Sequence, residues 1–295
     1  MLSDTRLVGY AYTWIRPPEE VYGQSPVTNQ DGIGFNYRLH FGSVANSLNV
    51  TYGKASVQIP GGGEARTVGS FFAGSSTAER GAISVRIGYT SFLGDLHTPN
   101  VDALFSGLAQ FGAVASSAGY PAAGAQALSL GDRYRLVRFR YYIATASVNY
   151  DPGSWLLMAE LAKVSATAAI SDSVAGYFTA GHRFGNLSPY LTIAQVEADT
   201  KREPGISSAS LPPLLAMGAA GLSAGLTAAI NALAVSQKSL LIGARWDFMK
   251  NTDLKLQYDR VRLGSDSSGR LGNVQPNFQP GGELNVLSVA CDFVF

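Results

Sequence analysis

The sequence predicts an all-β protein, an antiparallel transmembrane β-barrel. Three observations predict it: a shortage of charge, a two-residue hydrophobic period that returns along the chain, and an alternation of short and long connections. The 295 residues hold 22 Lys+Arg and 21 Asp+Glu, 15% charged, against roughly 25% in soluble domains. With 46% hydrophobic residues and a mean hydropathy of +0.08, the chain is too apolar for disorder, yet it lacks the long Leu/Ile/Val runs of a helical membrane protein. Thirty-three Gly, 14 Tyr and 14 Phe suit an architecture of tight turns and aromatic girdles. A net charge of +1 supplies no cationic field to displace phosphate counterions, so no nucleic-acid partner is expected.

In chain order, Met1 to Arg6 lack the basic, apolar and small-residue pattern of a secretory leader. The first strand is read at Ile33, Phe35, Tyr37, Leu39 and Phe41, alternating with Gly34, Asn36, Arg38 and His40. Leu48, Val50 and Tyr52 repeat the pattern, as do Ile83, Val85, Ile87 and Tyr89. Weaker alternation near 66–78, 134–150, 154–164, 174–184 and 189–199 predicts five more strands. Leu240 to Phe248, Leu254 to Tyr258 and Leu287 to Phe295 complete the set. The expectation is about eleven strands of roughly ten residues, the length a tilted strand needs to cross a bilayer.

The connections carry a second period. Gly42-Ser43, Glu79-Arg80-Gly81, Asp151-Pro152-Gly153, Gly185-Asn186 and Lys250-Asn251-Thr252 are short and rich in turn formers. Longer connections around 58–66, 93–133, 165–173, 199–237 and 264–282 separate them. Short turns on one side and long loops on the other is the asymmetry of an outer-membrane barrel. An odd strand count leaves such a barrel open, which predicts further strands on the amino-terminal side.

Several motifs stand at these strand and turn positions: Trp14-Ile15-Arg16-Pro17-Pro18, Tyr150-Asp151-Pro152-Gly153, Arg183-Phe184-Gly185 before Pro189-Tyr190-Leu191, Ala244-Arg245-Trp246-Asp247-Phe248, Leu256-Gln257-Tyr258-Asp259-Arg260 and Asp292-Phe293-Val294-Phe295. With them the chain resembles, over nearly its whole length, the trimeric porins of Gram-negative outer membranes. The resemblance implies a homotrimer in the outer membrane, in contact with its lipid and lipopolysaccharide, that passes small hydrophilic solutes or ions. It also implies about sixteen strands, of which those seen here are the later ones, and a loop folded into the lumen. Residues 1–32 then correspond to the constriction loop and 33–295 to strands and loops of one barrel domain spanning 1–295.

In a channel of this kind the charge pattern of the lumen does the selecting. The polar parity offers Arg38, Arg86, Arg138, Arg140, Arg183 and Arg245, opposed by Glu160, Glu197, Asp247, Asp259 and Asp292. This Arg excess predicts a tilt towards anions. Arg133, Arg135, Arg138 and Arg140 form the densest positive run, read either as a lumen ladder or as a rim against lipopolysaccharide phosphates. In the constriction loop Arg16, Glu19 and Glu20 flank the stiff Pro17-Pro18 pair, and an ordinary solvated loop is the alternative. Stretches 103–131 and 204–237 carry no charge. Leu222, Leu226, Ile230 and Leu233 recur at helical spacing, which predicts long loops with short helices rather than a transmembrane helix.

No cofactor, metal site or catalytic residue is expected. The lone Cys291 excludes an internal disulfide and a CxxC site. His40, His97 and His182 lack partners at the spacing of a triad or a zinc motif, and Gly61-Gly62-Gly63 lacks the Lys-Ser/Thr of a phosphate loop. Two other readings stand beside the channel: a structural or adhesive barrel with a plugged lumen, and a barrel hydrolase.

Overall fold

A computed structural model describes residues 12–25, 29–58, 66–200, 203–272, 274–275 and 277–294. The expectations for Met1 to Arg6, the Gly61-Gly62-Gly63 tip and Phe295 lie outside them. The fold is all-β, with eleven strands in one sheet whose spatial order is the chain order. They are β1 (Asn29–Phe41), β2 (Val44–Gln58), β3 (Arg66–Arg80), β4 (Ile83–His97), β5 (Phe139–Tyr150), β6 (Trp155–Ala166), β7 (Ser173–His182), β8 (Leu187–Ala198), β9 (Gln237–Met249), β10 (Thr252–Leu263) and β11 (Glu283–Phe293). Every neighbouring pair is antiparallel. The first strand starts four residues before Ile33, so part of the segment assigned to the loop is wall. Among the described residues the sheet is not closed: β1 and β11 are its two edges. After an even number of antiparallel steps these edges point the same way.

Turn chemistry makes the meander. Gly42 and Gly81 sit at φ +58° and +57° in two-residue connections, and Asn251 takes φ +59° in a third. The right-handed twist of paired strands demands that left-handed corner, and Gly or Asn adopts it at least cost. The long connections all leave the opposite end of the sheet.

Period two divides each strand between two faces. On the outward face Ile33, Ile87, Leu161, Leu287 and Val289 are 60 to 82% exposed. Aromatic side chains flank this apolar band at both ends. Trp155, His182 and Phe184 cluster near the short turns, with ring centroids 4.6 and 4.3 Å apart, and Trp246 lies 5.4 Å from Phe248. Tyr52, Phe72, Tyr89 and Tyr142 stand towards the long loops.

The charge-free stretches fold as helices longer than expected: α2 (Pro99–Ser117) and α3 (Pro121–Tyr134) in one long loop and α4 (Pro213–Leu233) in another. Thr98 Oγ1 accepts the Val101 N–H at 3.2 Å and Pro99 opens the first turn, a regular N-terminus for α2. At the α2–α3 crossing, a Cβ on Gly124 would lie 2.6 Å from the Gly112 carbonyl, so only glycine permits that approach. By length and composition α4 could cross a membrane. Here Gly218 and Gly225 of α4 instead face Phe111 and Leu104 of α2. Leu108, Phe111, Leu226 and Ile230 form one apolar core with Phe71, Phe92 and Phe139 on the inner wall of β3–β5. The helices therefore cover the long-loop end of that inner wall. Tyr134 closes the packing by donating to Glu203 at 2.6 Å. Burial first, and then this bond, holds its phenol above the usual tyrosine range.

A short helix, α1 (Glu19–Tyr22), shows that the sheet curves. Tyr141 on β5 donates to the Gln24 carbonyl at 2.7 Å, while Gln237 on β9 donates to Glu20 Oε1 at 2.7 Å. Four strand spacings would separate those strands by about 19 Å in a flat sheet. Gln24 nevertheless reaches back to the Glu20 carbonyl at 3.1 Å. The wall bends round this segment.

Candidate functional site

Residues 12–25 lie across the inner face, and each anchor is an inward side chain of the wall. Trp14 Nε1 donates to Thr192 Oγ1 at 3.1 Å, and the Thr192 and Thr179 hydroxyls lie 2.7 Å apart. Trp14 also meets Tyr177 edge-on at 5.7 Å, and Tyr22 stacks on the same ring at 6.0 Å. Gln257 is the central clamp. Its Oε1 accepts the Ile15 and Arg16 N–H groups at 2.8 and 3.3 Å and the Tyr190 hydroxyl at 2.8 Å. Its Nε2 donates to the Arg16 carbonyl at 3.2 Å and to Asp259 Oδ1 at 2.7 Å. A neutral amide carries both donor and acceptor, so it can hold a peptide group from both sides. Tyr190 reaches Gln257 over Gly243, its register partner on the intervening strand. A Cβ there would meet the Tyr190 hydroxyl at 2.3 Å.

Charges on the segment are tied to the wall as well. Arg16 pairs with Asp259, and Glu20, 1% exposed, accepts from Gln237 and Ser239. The loop between β10 and β11 brings Arg270 to the same place: its N–H bonds Gln237 Oε1 at 2.8 Å. Its guanidinium Nε and Nη2 are buried without a hydrogen-bond acceptor. Arg16, Glu20, Ser239, Gln257, Asp259 and Arg270 line a cavity of about 150 Å³.

Towards the short turns the inner face becomes an ion-pair lattice. Arg245 meets Asp247 at 2.7 Å and Asp253 at 3.1 Å, and Lys255 meets Asp292 at 2.9 Å and Asp253 at 3.8 Å. Asp253 and Lys255 are almost fully buried, a placement that charged groups tolerate only when paired. Arg183 bonds Asp151 through two nitrogens at 2.6 and 2.8 Å and the Gly153 carbonyl at 2.9 Å. This fork holds the Asp151 carboxyl below its usual range and raises the Arg183 guanidinium.

The residues singled out in the sequence divide as follows. Arg38, Arg86, Glu160, Arg183, Arg245, Asp247, Asp259 and Asp292 share the inward parity. Arg86 and Glu160 lie in one row across β4–β6, with Ser147 between them, and Arg86 donates to Ser75 Oγ at 2.8 Å. Arg16, Glu19 and Glu20 sit on the segment that crosses the inner face; Arg16 and Glu20 are bonded to the wall, and Glu19 is exposed. Three residues need correction. Arg140 faces outward beside Tyr142, and Arg138 precedes β5 at φ +50°, exposed, its N–H on Asp95. Glu197 shares the outward parity of Leu191 and Ile193, because the inward positions of β8 hold Ala194 and Val196. All three lie near the long-loop ends, where helices and apolar residues fill the inside and polarity inverts.

Gln257, Tyr190, Trp14, Lys255 and Arg270 were not singled out as site residues. Lys255 and Gln257 do stand on the polar parity of their strand, whereas nothing local marks Arg270, which arrives from a distant loop. Among the described residues no cluster of three or more His, Cys, Asp or Glu could hold a metal ion. His97 Nδ1 meets Asp102 Oδ1 at 3.2 Å, both exposed, and His182 packs outward against Trp155 and Phe184.

No protein-family model matches the chain. No curated protein matches it either. Among solved structures it is similar to an anion-selective porin from Comamonas acidovorans, at 12% identity and a TM-score of 0.45, over 90% of this chain and 59% of that one. The chain thus spans less than two thirds of that porin's length.

Proposed function

We propose that this chain forms wall and constriction of an outer-membrane porin, a water-filled channel for passive diffusion of small hydrophilic solutes. The observation that carries this reading is the two-sidedness of the sheet. Its outward face is an exposed apolar band between aromatic belts, the pattern of a lipid-facing barrel. Its inward face is a charged lattice crossed by a pinned segment that narrows the passage. Most inward cations are matched by carboxylates, Arg86 by Glu160 in its own row, so the anion preference is modest and rests on Arg270, whose guanidinium Nε and Nη2 have no hydrogen-bond acceptor. Assembly as a trimer fits the same reading. The test is planar-bilayer recording of the purified chain under a salt gradient. Stepwise conductance is expected, with a reversal potential on the anion side that moves towards zero in Arg270→Gln. Absence of steps sinks the channel, and a cation-favouring potential sinks the preference. A plugged barrel is the second reading, favoured by the apolar core that α2 and α4 build against β3–β5. It expects no steps in the native chain.

A further inference from the structure

Outward-facing charge gathers at the long-loop end of the sheet, and part of it is paired. Arg260 and Arg262 hold Glu283 at 2.8 and 2.7 Å, and Lys54 stands opposite Asp31 in the ladder. Arg140 differs. Its side chain reaches only the Tyr142 hydroxyl, at 3.4 Å, and it is exposed. On the outward face it heads a cross-strand row, Ser70–Leu93–Arg140, and the next row towards the sheet centre runs Phe72–Ser91–Tyr142. Tyr89 fills the space below Ser91, with ring centroids 6.5 Å from Phe72 and 6.2 Å from Tyr142. Ser91 is only a hydroxymethyl between two rings, so a notch opens above Tyr89. Ser70, Phe72, Ser91, Leu93, Arg140 and Tyr142 line an outward groove of about 240 Å³.

We propose that this groove binds one lipid with a phosphorylated headgroup, its phosphate on Arg140 and one acyl chain in the Ser91 notch between Phe72 and Tyr142. Charge complementarity selects the occupant. An outward Arg is tolerated near the interface and costly deeper in the bilayer, and at the interface its natural counter-ion is a lipid phosphate. The aromatic floor takes hydrocarbon and the Ser70 and Ser91 hydroxyls can donate to glycerol or ester oxygens. The site rests on the membrane placement proposed above but not on conduction.

Native mass spectrometry of the full chain in detergent micelles, titrated with dioleoyl phosphatidic acid or with dioleoylglycerol, tests it. One tightly retained phosphatidic acid is expected, with the uncharged lipid retained at least about fivefold less. Arg140→Gln should lower retention of the phosphorylated lipid by about fivefold. Ser91→Leu should lower retention by filling the notch with charge unchanged, and Arg262→Gln should leave it as in the parent. Millimolar inorganic phosphate should not displace the lipid. Equal retention of both lipids, undiminished retention in Arg140→Gln, or displacement by free phosphate would overturn the groove. Failure of the chain to enter vesicles at all would overturn the membrane placement and the groove with it.

Discussion

At the residue scale, Asp151 sits in the turn between β5 and β6 and joins that turn to Arg183 beyond the end of β7. Its carboxyl also accepts the Gly153 N–H at 3.0 Å. Because its folded-state pKa lies below the ordinary 3.8, the stabilisation is present above that value and is lost as pH falls through the folded value. Both side chains of the pair are more than a third exposed, so solvent screening limits its worth to about 1 kcal/mol or less. The expected outcome is that the protection of the Gly153 amide, its exchange rate relative to an unstructured chain at the same pH, holds from neutral pH down to the ordinary aspartate range and falls below it. In Asp151→Ala protection should be low throughout; a profile unchanged by the substitution would show that the turn does not depend on the fork. The same scale marks the limit of period two. The polar parity of Arg140 and Glu197 predicts the lumen only if polar parity means the inside along the whole strand. That rule holds where the outside meets hydrocarbon. Nearer the long loops Phe71, Phe92 and Phe139 face inward to meet helices, and charge moves outward. A strand sequence records which face is apolar without recording what covers it.

At the scale of elements, the eleven strands and the alternation of their connections were legible because both depend on local pattern: side-chain period, Gly or Asn at left-handed corners, and polar runs between strands. Helices α2 and α4 were legible only as charge-free stretches with scattered helical spacing. Their placement follows from glycine contacts such as Gly218 on Phe111 and Gly225 on Leu104 that a one-dimensional reading cannot pair. The inner segment lies between these cases. Its Pro pair and charges mark it, yet its anchors are distant in the chain, 117 residues away in the bond from Tyr141 to Gln24 and 242 in that from Ile15 to Gln257. These anchors predict how the segment is released. In Gln257→Leu the Ile15 and Arg16 N–H groups and the Tyr190 hydroxyl lose their common acceptor, a loss of about 1 to 3 kcal/mol for buried polar groups. A glutamate-specific protease should then cut at Glu19 or Glu20 at least tenfold faster than in the parent chain, an estimate equivalent to about 1.4 kcal/mol. Glu20 is buried in the intact structure, so cleavage requires the segment to leave the wall. Equal cleavage rates would mean that the aromatic contacts of Trp14 and Tyr22 suffice without the amide.

At the scale of the whole molecule, the proposed membrane placement requires the sheet to satisfy two solvents at once. Backbone groups on an interior strand are bonded on both sides, and outward side chains are left to match their surroundings. Those surroundings can be probed at β11, where parity puts Cys291 outward between Val289 and Phe293, and Ser288 on the opposite face. Cys291 is the lone cysteine of the chain and is exposed, so one thiol-reactive fluorophore reports a defined position. After reconstitution into vesicles, a probe on Cys291 should shift to shorter emission wavelength. Nitroxide-bearing acyl chains should quench it strongly and aqueous iodide should quench it weakly, because hydrocarbon excludes the ion. Ser288→Cys in a Cys291→Ser background moves the probe by three residues and turns it inward. The order of quenchers should then reverse, iodide reaching the probe through the lumen. Iodide quenching of both probes alike would place the outward face in water, and lipid quenching of both would leave the lumen dry. Only the reversal between positions three residues apart matches a wall with hydrocarbon on one side and water on the other.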